Sequence, residues 1–516
     1  MTYVMGIDIN SNSIKAVVYD ERGSAVASGL QPTPLTYDNK AQPSWCVWDP
    51  KRIWGNVVYA ISEATGKTEH PEEIQALSVT GFGMDGLPLR RDGLPLYPMI
   101  SWHCPRTIPQ YEAFLRKVGE ENIFRRTGKR AMAIDSIYRM MWMRENEEAA
   151  FQATDKWLSI VDYINYMLCG VKATDYSMAA CTSAFDQRGH AWCEDLLREA
   201  GIPLSIFPKA YPAGKVLGTL SPVAAQETGL SSKTRVVLGG HDYMCAAFAA
   251  GAMDGSTLLD MTGGWEMLLL ATDKAELSDE LYDSGYYLEG HVIKDKCCYV
   301  GSAVSGDMTE WMKKTLCAEE RVIAEAQDEN IWDIISDACS RAGIGSGGCM
   351  FLPHFSGAGA PFRDPNSMGA FLGLHHPIRK RDMMRAVFEG LDYQFRAMLE
   401  AFQACRLGTP RRIIATGKAA HNVFWMQNKA DVSGLALEVP DIEEPAALGA
   451  AMLAGLGVGL YSSEREAADA VRKGLSVYEP DEQAHRKYDD YYQNIYCKLY
   501  RSLAEVNGEL SRRFRR

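Results

Sequence analysis

The feature that most constrains this 516-residue chain is that it opens two successive halves in the same way. Tyr3 to Asp8 reads as a strand, Asn10-Ser11-Asn12 as a turn and Ser13 to Asp20 as a second strand. After the turn Glu21-Arg22-Gly23, Ala25 to Leu30 reads as a third. Ile14, Ala16 and Val18 alternate with Lys15, Val17 and Tyr19, the period of a strand and not of a helix. Near residue 252 the theme returns: Ser256 to Asp260, then Met261-Thr262-Gly263-Gly264, then Trp265 to Thr272. Two copies of one supersecondary unit, each heading half a chain, predict two similar α/β lobes with their tight turns facing each other across a cleft. The boundary is expected near Met253, giving units 1–252 and 253–483, with a C-terminal helix over 484–516.

Length agrees with this division, since one hydrophobic core rarely serves so long a chain. With 47% hydrophobic and 23% charged residues, the chain is an ordinary globular one. Its 66 acidic against 54 basic residues leave a net charge of −12, which argues against nucleic acid as partner. Nucleotide phosphates stay possible, because backbone amides and a metal ion can neutralise them locally. Thirteen cysteines without a C-x-x-C pair indicate reduced thiols, and no apolar run is long enough for a membrane span. Met1 leads into a strand without a basic signal region, so a cytoplasmic protein is expected.

Helical patterns fill roughly 109–200. In the second half, helices are expected at Asp307 to Leu316, Asn330 to Ala342, Arg379 to Ala404, Val423 to Ser433 and Pro445 to Leu456, with strands at Cys349 to Pro353 and Arg412 to Thr416. Two G-x-G-x-x-G matches, at Gly81 and Gly343, lack the strand-to-helix setting of a dinucleotide site: the first runs into a hairpin-like Leu87 to Tyr97, the second precedes a strand. Gly417-Lys418-Ala419 lacks the hydroxyl of a Walker A loop.

Three places carry candidate chemistry. Asp8, at a strand end before short polar residues, can hold a hydrated Mg²⁺ through one oxygen, and a turn cap is its plain alternative. Asp242 follows Gly239-Gly240-His241 at a strand-to-helix turn, suited to take a proton from a hydroxyl, with a helix N-cap as the alternative. Between Gly81 and Arg106, the polar side chains of Asp85, His103 and Arg106 stand beside Trp102, the mixture a polyol pocket needs, although each alone reads equally as a structural residue.

At these residues the chain resembles the FGGY family of carbohydrate kinases over nearly its whole length. Gly6-Ile7-Asp8 with Ser13 and Lys15 is similar to the family's first phosphate loop, Gly240-His241-Asp242 to its catalytic-base segment, Thr262-Gly263-Gly264 to its second phosphate loop, and Gly417 to Asn422 to its adenosine loop. The resemblance implies two actin-like, ribonuclease H-like domains of the hexokinase/Hsp70/actin superfamily, with ATP and Mg²⁺ used to phosphorylate a small sugar. It implies nucleotide contacts from Asn10, Ser11, Asn12, Lys15, Thr262, Gly263, Gly264, Gly306, Gly417, Lys418, Ala419 and Asn422. Sugar contacts are implied for Met84, Asp85, Trp102, His103, Arg106, Asp242 and Tyr243, and metal contacts for Asp8 and Asp242. Phe82 to Gly86, Ile100 to Thr107 and Gly263 to Glu266 are most similar to the L-fuculose members, which makes xylulose a less favoured substrate. Asn10, Met261, Lys418 and Ala419 depart from the family's glycines and put nucleotide affinity in question. A sugar-binding regulator without turnover, or a phosphatase on the same scaffold, are the rival readings. A homodimer is left open.

Overall fold

The computed structural model describes residues 2–39, 42–408, 410–471 and 474–514. Its first half is built on β1 (Tyr3–Ile9), β2 (Ser13–Tyr19), β3 (Ala25–Pro32), helix α1 (Pro50–Lys67), β4 (Ile74–Gly81), β5 (Val216–Thr219) and β6 (Arg235–Val237). The strands form one sheet in the order β5-β6-β4-β1-β2-β3. The β1, β2 and β3 meander is antiparallel, β4 and β6 run parallel to β1, and β5 closes the far edge antiparallel. All of β1 is buried, as expected of a central strand covered on both faces. Helix α1 covers the meander with Ile53, Val57, Ala60, Ile61 and Ala64, a stripe at helical spacing, and starts where the Asp49 carboxylate accepts from the Lys51 amide ahead of Pro50.

Helix α2 (Asp242–Ala250) leads to the second half: β7 (Thr257–Thr262), β8 (Trp265–Thr272), β9 (Tyr287–Gly290), β10 (Cys297–Val304), α3 (Gly306–Thr315), α4 (Lys380–Ala404), β11 (Arg412–Thr416), α5 (Val423–Ser433), β12 (Leu437–Pro440), α6 (Pro445–Val458) and β13 (Leu475–Tyr478). The sheet order is β9-β10-β8-β7-β11-β12-β13. Apart from the added β9, it repeats the first sheet: an antiparallel meander, two strands parallel to the meander's first, and an antiparallel edge. The duplication read from the sequence is therefore a duplication of topology.

The halves are joined by α6, whose Ala/Gly composition lets it approach other backbones closely. A Cβ on Gly449 would overlap the Cys245 carbonyl of α2, and one on Gly6 of β1 would overlap the Ala447 carbonyl of α6. Any larger residue at Gly449 would force the helices apart, at about 1–3 kcal/mol or more. Thus the strand bearing Asp8 and the helix headed by Asp242 meet on one shared element.

Some boundaries differ from expectation. Leu87 to Tyr97 turns back on itself as expected, with Leu89 bridged antiparallel to Pro95 and the Leu96 amide donating to the Pro88 carbonyl (3.0 Å), and its first arm, Gly86–Leu89, also pairs with Lys156–Ser159. The Gly343 to Gly348 run is a turn whose Gly345 amide and Ser346 hydroxyl donate to Glu389. The C-terminal helical run starts at Glu482, two residues before the expected 484. All thirteen cysteines are free thiols, and among the described residues no helix is long and apolar enough to cross a membrane.

Candidate active site

Asp242 is the first residue of α2. The chain reaches it through Gly240, where a Cβ would crowd Ser177 Oγ and Asp175 Oδ2. The turn is fixed from outside: Thr80 Oγ1 donates to the Gly240 carbonyl (2.7 Å), and the His241 amide donates to Ser177 Oγ (2.9 Å). Asp242 Oδ1 accepts from its neighbour's amide at Tyr243 (2.6 Å) and lies 2.7 Å from His241 Nδ1. Burial raises its pKa; a charge on His241 would bring the carboxyl below its ordinary value, and with that ring neutral the hydrogen bonds from Nδ1–H and the Tyr243 amide are what oppose burial. The Asp242 carboxylate draws charge onto the ring, but the Gly83 amide points at His241 Nε2 (3.1 Å) and only an unprotonated nitrogen can meet it. The neutral Nδ1–H tautomer, donating to Asp242, satisfies both contacts. Tyr243 is not turned to a cleft: it is 5% exposed, its ring lies against His241, and its hydroxyl donates to buried Glu289, which also pairs with Lys129.

Asp8 lies at the end of β1, paired across the sheet with Lys15 and Thr80. Its Oδ2 takes a long bond from Asn10 Nδ2 (3.4 Å), while its Oδ1 is buried without a hydrogen-bond partner among the described residues. Burial, and then the charge of Asp242, push its carboxyl up to about 7. The turn beyond is shaped by Asn10, whose Oδ1 accepts from the amides of Asn12 (3.1 Å) and Ser13 (2.9 Å). Asn10 therefore replaces a turn glycine through its side chain, with no left-handed backbone. Ser11 Oγ accepts from Trp102 Nε1 (3.1 Å), tying this turn to the candidate sugar loop. Lys15 pairs with Glu444 at the head of α6, a link between the halves.

The Gly81 to Arg106 region divides in two. His103 is exposed and stacks on Trp102 with ring centroids 3.7 Å apart, a polar and aromatic surface beside Ser11. Met84, at φ 69°, is buried with its carbonyl accepting from Ser136. Asp85 is fully buried: Arg139 donates to Oδ1 (2.9 Å), and Trp48 Nε1 (2.7 Å) and the Trp102 amide (3.0 Å) donate to Oδ2. It thereby anchors the Trp102 backbone, and burial raises it to about 6. Arg106 is 4% exposed, with its guanidinium 4.4 Å from the Trp45 ring and 5.1 Å from that of Trp142 and donating to the Tyr97 hydroxyl (3.2 Å).

In the second half, β7 runs on through Met261 and Thr262, leaving Gly263-Gly264 at the turn. Three backbones converge there. The Gly306 amide donates to the Gly263 carbonyl (2.9 Å) and the Ser305 amide to that of Gly264 (3.0 Å). A Cβ on Gly306 would overlap Gly263 O, and one on Gly417, at φ +98°, would overlap Thr262 O. Lys418 and Ala419 follow in a short turn with Lys418 exposed, and Asn422 caps α5 through the Trp425 amide (3.0 Å). The Thr262 side chain is fully buried and faces inward to Asp260 and Lys429.

Sequence reasoning gives Lys429 and Asp260 no role, and Glu266 only a place in the Gly263 to Glu266 segment. Lys429 stands between Asn428 and Ala430 on a helix, where a lysine reads as a solvated residue, yet it is 0% exposed and bonded to both acids. His241 was legible only as part of its motif.

The amides of Gly263, Ser305, Gly306 and Asp307 are already bonded to carbonyls, so what the site offers is space and an acid. Asp8 offers an unspent buried oxygen, and the Gly263, Gly306 and Gly417 junction leaves backbone uncovered by side chains. Among the described residues, no group of three or more His, Cys, Asp or Glu side chains is gathered for a metal held by protein alone. A cation would share its ligands with phosphate.

Two duplicated sheets around a shared joint are the architecture of the actin-like two-domain phosphotransferases. A solved xylulose kinase from Lactobacillus acidophilus superimposes with a TM-score of 0.88 at 25% identity, covering 99% of this chain and 100% of that one. The N-terminal domain of the FGGY family of carbohydrate kinases matches residues 3–249 and the C-terminal domain of that family matches 261–458, so this chain belongs to the FGGY family. A xylulose kinase of Bacillus subtilis (strain 168) is 26% identical over 503 residues, covering 96% of this chain and 97% of the relative. An L-fuculokinase of Haemophilus influenzae is 26% identical over 480 residues, covering 92% and 98%. Overall identity thus does not separate the two sugars, and the local likeness to L-fuculose members is not echoed along the whole chain.

Proposed function

We propose that this carbohydrate kinase transfers the terminal phosphoryl group of ATP to a hydroxyl of a small ketose, L-fuculose or a related pentulose or hexulose, in the cytoplasm. ATP would lie mainly on residues 253–483, at the Gly263, Gly306 and Gly417 junction. The sugar would lie mainly on residues 1–252, against Trp102 and His103. The observation that carries this reading is Asp242: a carboxylate at the head of α2, fixed by the Tyr243 amide and His241, close enough to Asp8 to raise that acid, on a helix packed against the α6 joint.

Phosphoryl transfer asks a protein chiefly to position and to neutralise charge. Asp242 orients the attacking hydroxyl and accepts its proton, while the neutral His241 ring keeps its carboxylate aimed. The Trp102 indole offers an apolar face to the sugar, and His103 a polar edge. Closing the halves would exclude water and favour the sugar over hydrolysis. Mg²⁺ arriving with the triphosphate would spread its charge, with Asp8 holding the ion's hydration shell. The choice of ketose rests on Phe82–Gly86, Ile100–Thr107 and Gly263–Glu266, the segments most similar to L-fuculose kinases.

Asp242→Asn should lower turnover by about two orders of magnitude or more, the size of a lost general base. Sugar affinity, measured by calorimetry, should persist. Near-normal turnover in that variant would remove Asp242 from this role.

A further inference from the structure

The nucleotide half-site rests on one buried ammonium. Lys429 Nζ donates to Asp260 Oδ2 (2.7 Å), Glu266 Oε1 (2.6 Å) and Thr262 Oγ1 (3.2 Å). An ammonium has three hydrogens, and all three are used here. Two acceptors lie on β7 and one on β8, so the cation bridges both strands that form the Gly263-Gly264 turn. Lys429 itself belongs to α5, the helix capped by Asn422 at the end of the Gly417 loop. The same helix is fastened to α4 by Trp425 Nε1 and Asn428 Nδ2, which donate to the two oxygens of Asp392 (2.8 and 2.5 Å). The Phe395 and Trp425 rings complete the enclosure, 4.7 and 5.6 Å from the ammonium. The groups facing Lys429 are thus three acids, one hydroxyl and two aromatic faces. Burial, with the neighbouring carboxylates, raises Glu266 to about 7 and Asp392 well above its ordinary range, so the lysine is the fixed charge of the cluster.

Resting on the kinase reading above, we propose that Lys429 is a positioning residue for nucleotide: it locks the Gly263-Gly264 turn to the helix behind the Gly417 loop, holding in register the two backbone segments that would grip ATP. Lysine suits the place because three acceptors surround one point, and the planar fork of arginine cannot meet them from the same stem. A cluster that served only the fold would be indifferent to which ligand is bound. A clamp is not, because it stands behind the nucleotide segments and not behind the sugar loop.

The test uses Lys429→Arg, and Lys429→Met combined with Asp260→Asn and Glu266→Gln so that neither acid bonded to the lysine is stranded. MgADP and sugar affinities are measured by calorimetry on protein whose melting curve shows it folded. The clamp predicts MgADP binding weaker by about tenfold in each variant, in the range of couplings carried by such networks, and KM for ATP raised while kcat at saturation changes little. Sugar affinity should stay within about twofold of the unaltered protein. A folded Lys429→Arg protein that binds MgADP normally overturns the proposal, as does an equal loss of sugar affinity. Hydrogen exchange on the unaltered protein decides the matter if neither variant folds: MgADP should protect residues 260–266 and 423–433 together, and protection confined to the first segment overturns the clamp. Unaltered protein that binds no MgADP overturns the kinase reading itself, and the clamp with it.

Discussion

The two opening turns share a topology and differ in what they do with their aspartates. Aligned without a gap, Asp8-Ile9-Asn10-Ser11-Asn12 stands against Asp260-Met261-Thr262-Gly263-Gly264. Both aspartates are buried, at 7% and 0% exposure, near the ends of their strands. Asp260 is met by Lys429. Asp8 faces another acid, Asp242, and keeps one oxygen without a partner. The turns differ in the same sense: the first is stitched by the Asn10 side chain and presents short polar groups, whereas the second is bare backbone fastened to other backbone at Ser305 and Gly306. One copy of the motif has spent its carboxylate on structure. The other holds its carboxylate at a cost in stability, a pattern expected where chemistry is done.

The contrast breaks most readily at the aspartates. Asp8→Asn should lower turnover about 10- to 100-fold, the loss typical of an outer partner of a metal. It should also stabilise the protein. The folded pKa of Asp8, about 7, lies above the ordinary value of 3.8, so the folded state favours the protonated acid and stability is lost as pH rises between them. The variant's Tm should therefore exceed that of the unaltered protein at pH 8, with the gap closing near pH 4. Asp260→Asn should do the opposite, lowering Tm by the equivalent of about 1–3 kcal/mol because Lys429 loses a charged acceptor. Thermal melts across pH distinguish the two, and shifts of the same sign would dissolve the comparison.

Asp162 sharpens it from outside either turn. This acid is 2% exposed with Oδ1 unpartnered, and burial raises it to about 8. Asp162→Asn should flatten the loss of Tm between about pH 4 and 8 while leaving turnover within about twofold, as expected of a change away from reacting groups. A large fall in turnover would mean that buried acids in this fold are catalytic without regard to place. The smallest effect is expected at the partly exposed Lys15 and Glu444 pair. Lys15→Met should cost under about 1 kcal/mol in chemical denaturation, and a greater loss would make this link part of the joint and not its trimming.

Much of this contrast was legible in the sequence, because alternation and turn chemistry are local. The paired meanders, the turn at Asn10 and the strand-to-helix position of Asp242 follow from neighbours a few residues apart. What each polar side chain meets does not. Lys429 reaches acids more than 160 residues away in the chain, and a lysine on a helix gives no sign of that. Arg106 and Asp85 read as sugar contacts because charged groups among aromatics serve both purposes, and their enclosure by Trp45, Trp142 and Trp48 is a long-range contact that the local sequence does not show. Asn10 and Gly417 mark the boundary between the two cases. Each meets a demand for a tight turn, one with a side-chain bond and one with a left-handed backbone, and the choice between them was hidden until the turn was seen.

The most direct measurement is ADP release by the purified protein with Mg²⁺ and ATP, across a panel of ketoses, polyols and sugar acids, with inorganic phosphate followed in parallel. The account predicts ADP release that depends on a ketose and is not matched by free phosphate. ADP release that ignores every acceptor, or that is equalled by free phosphate, would contradict it.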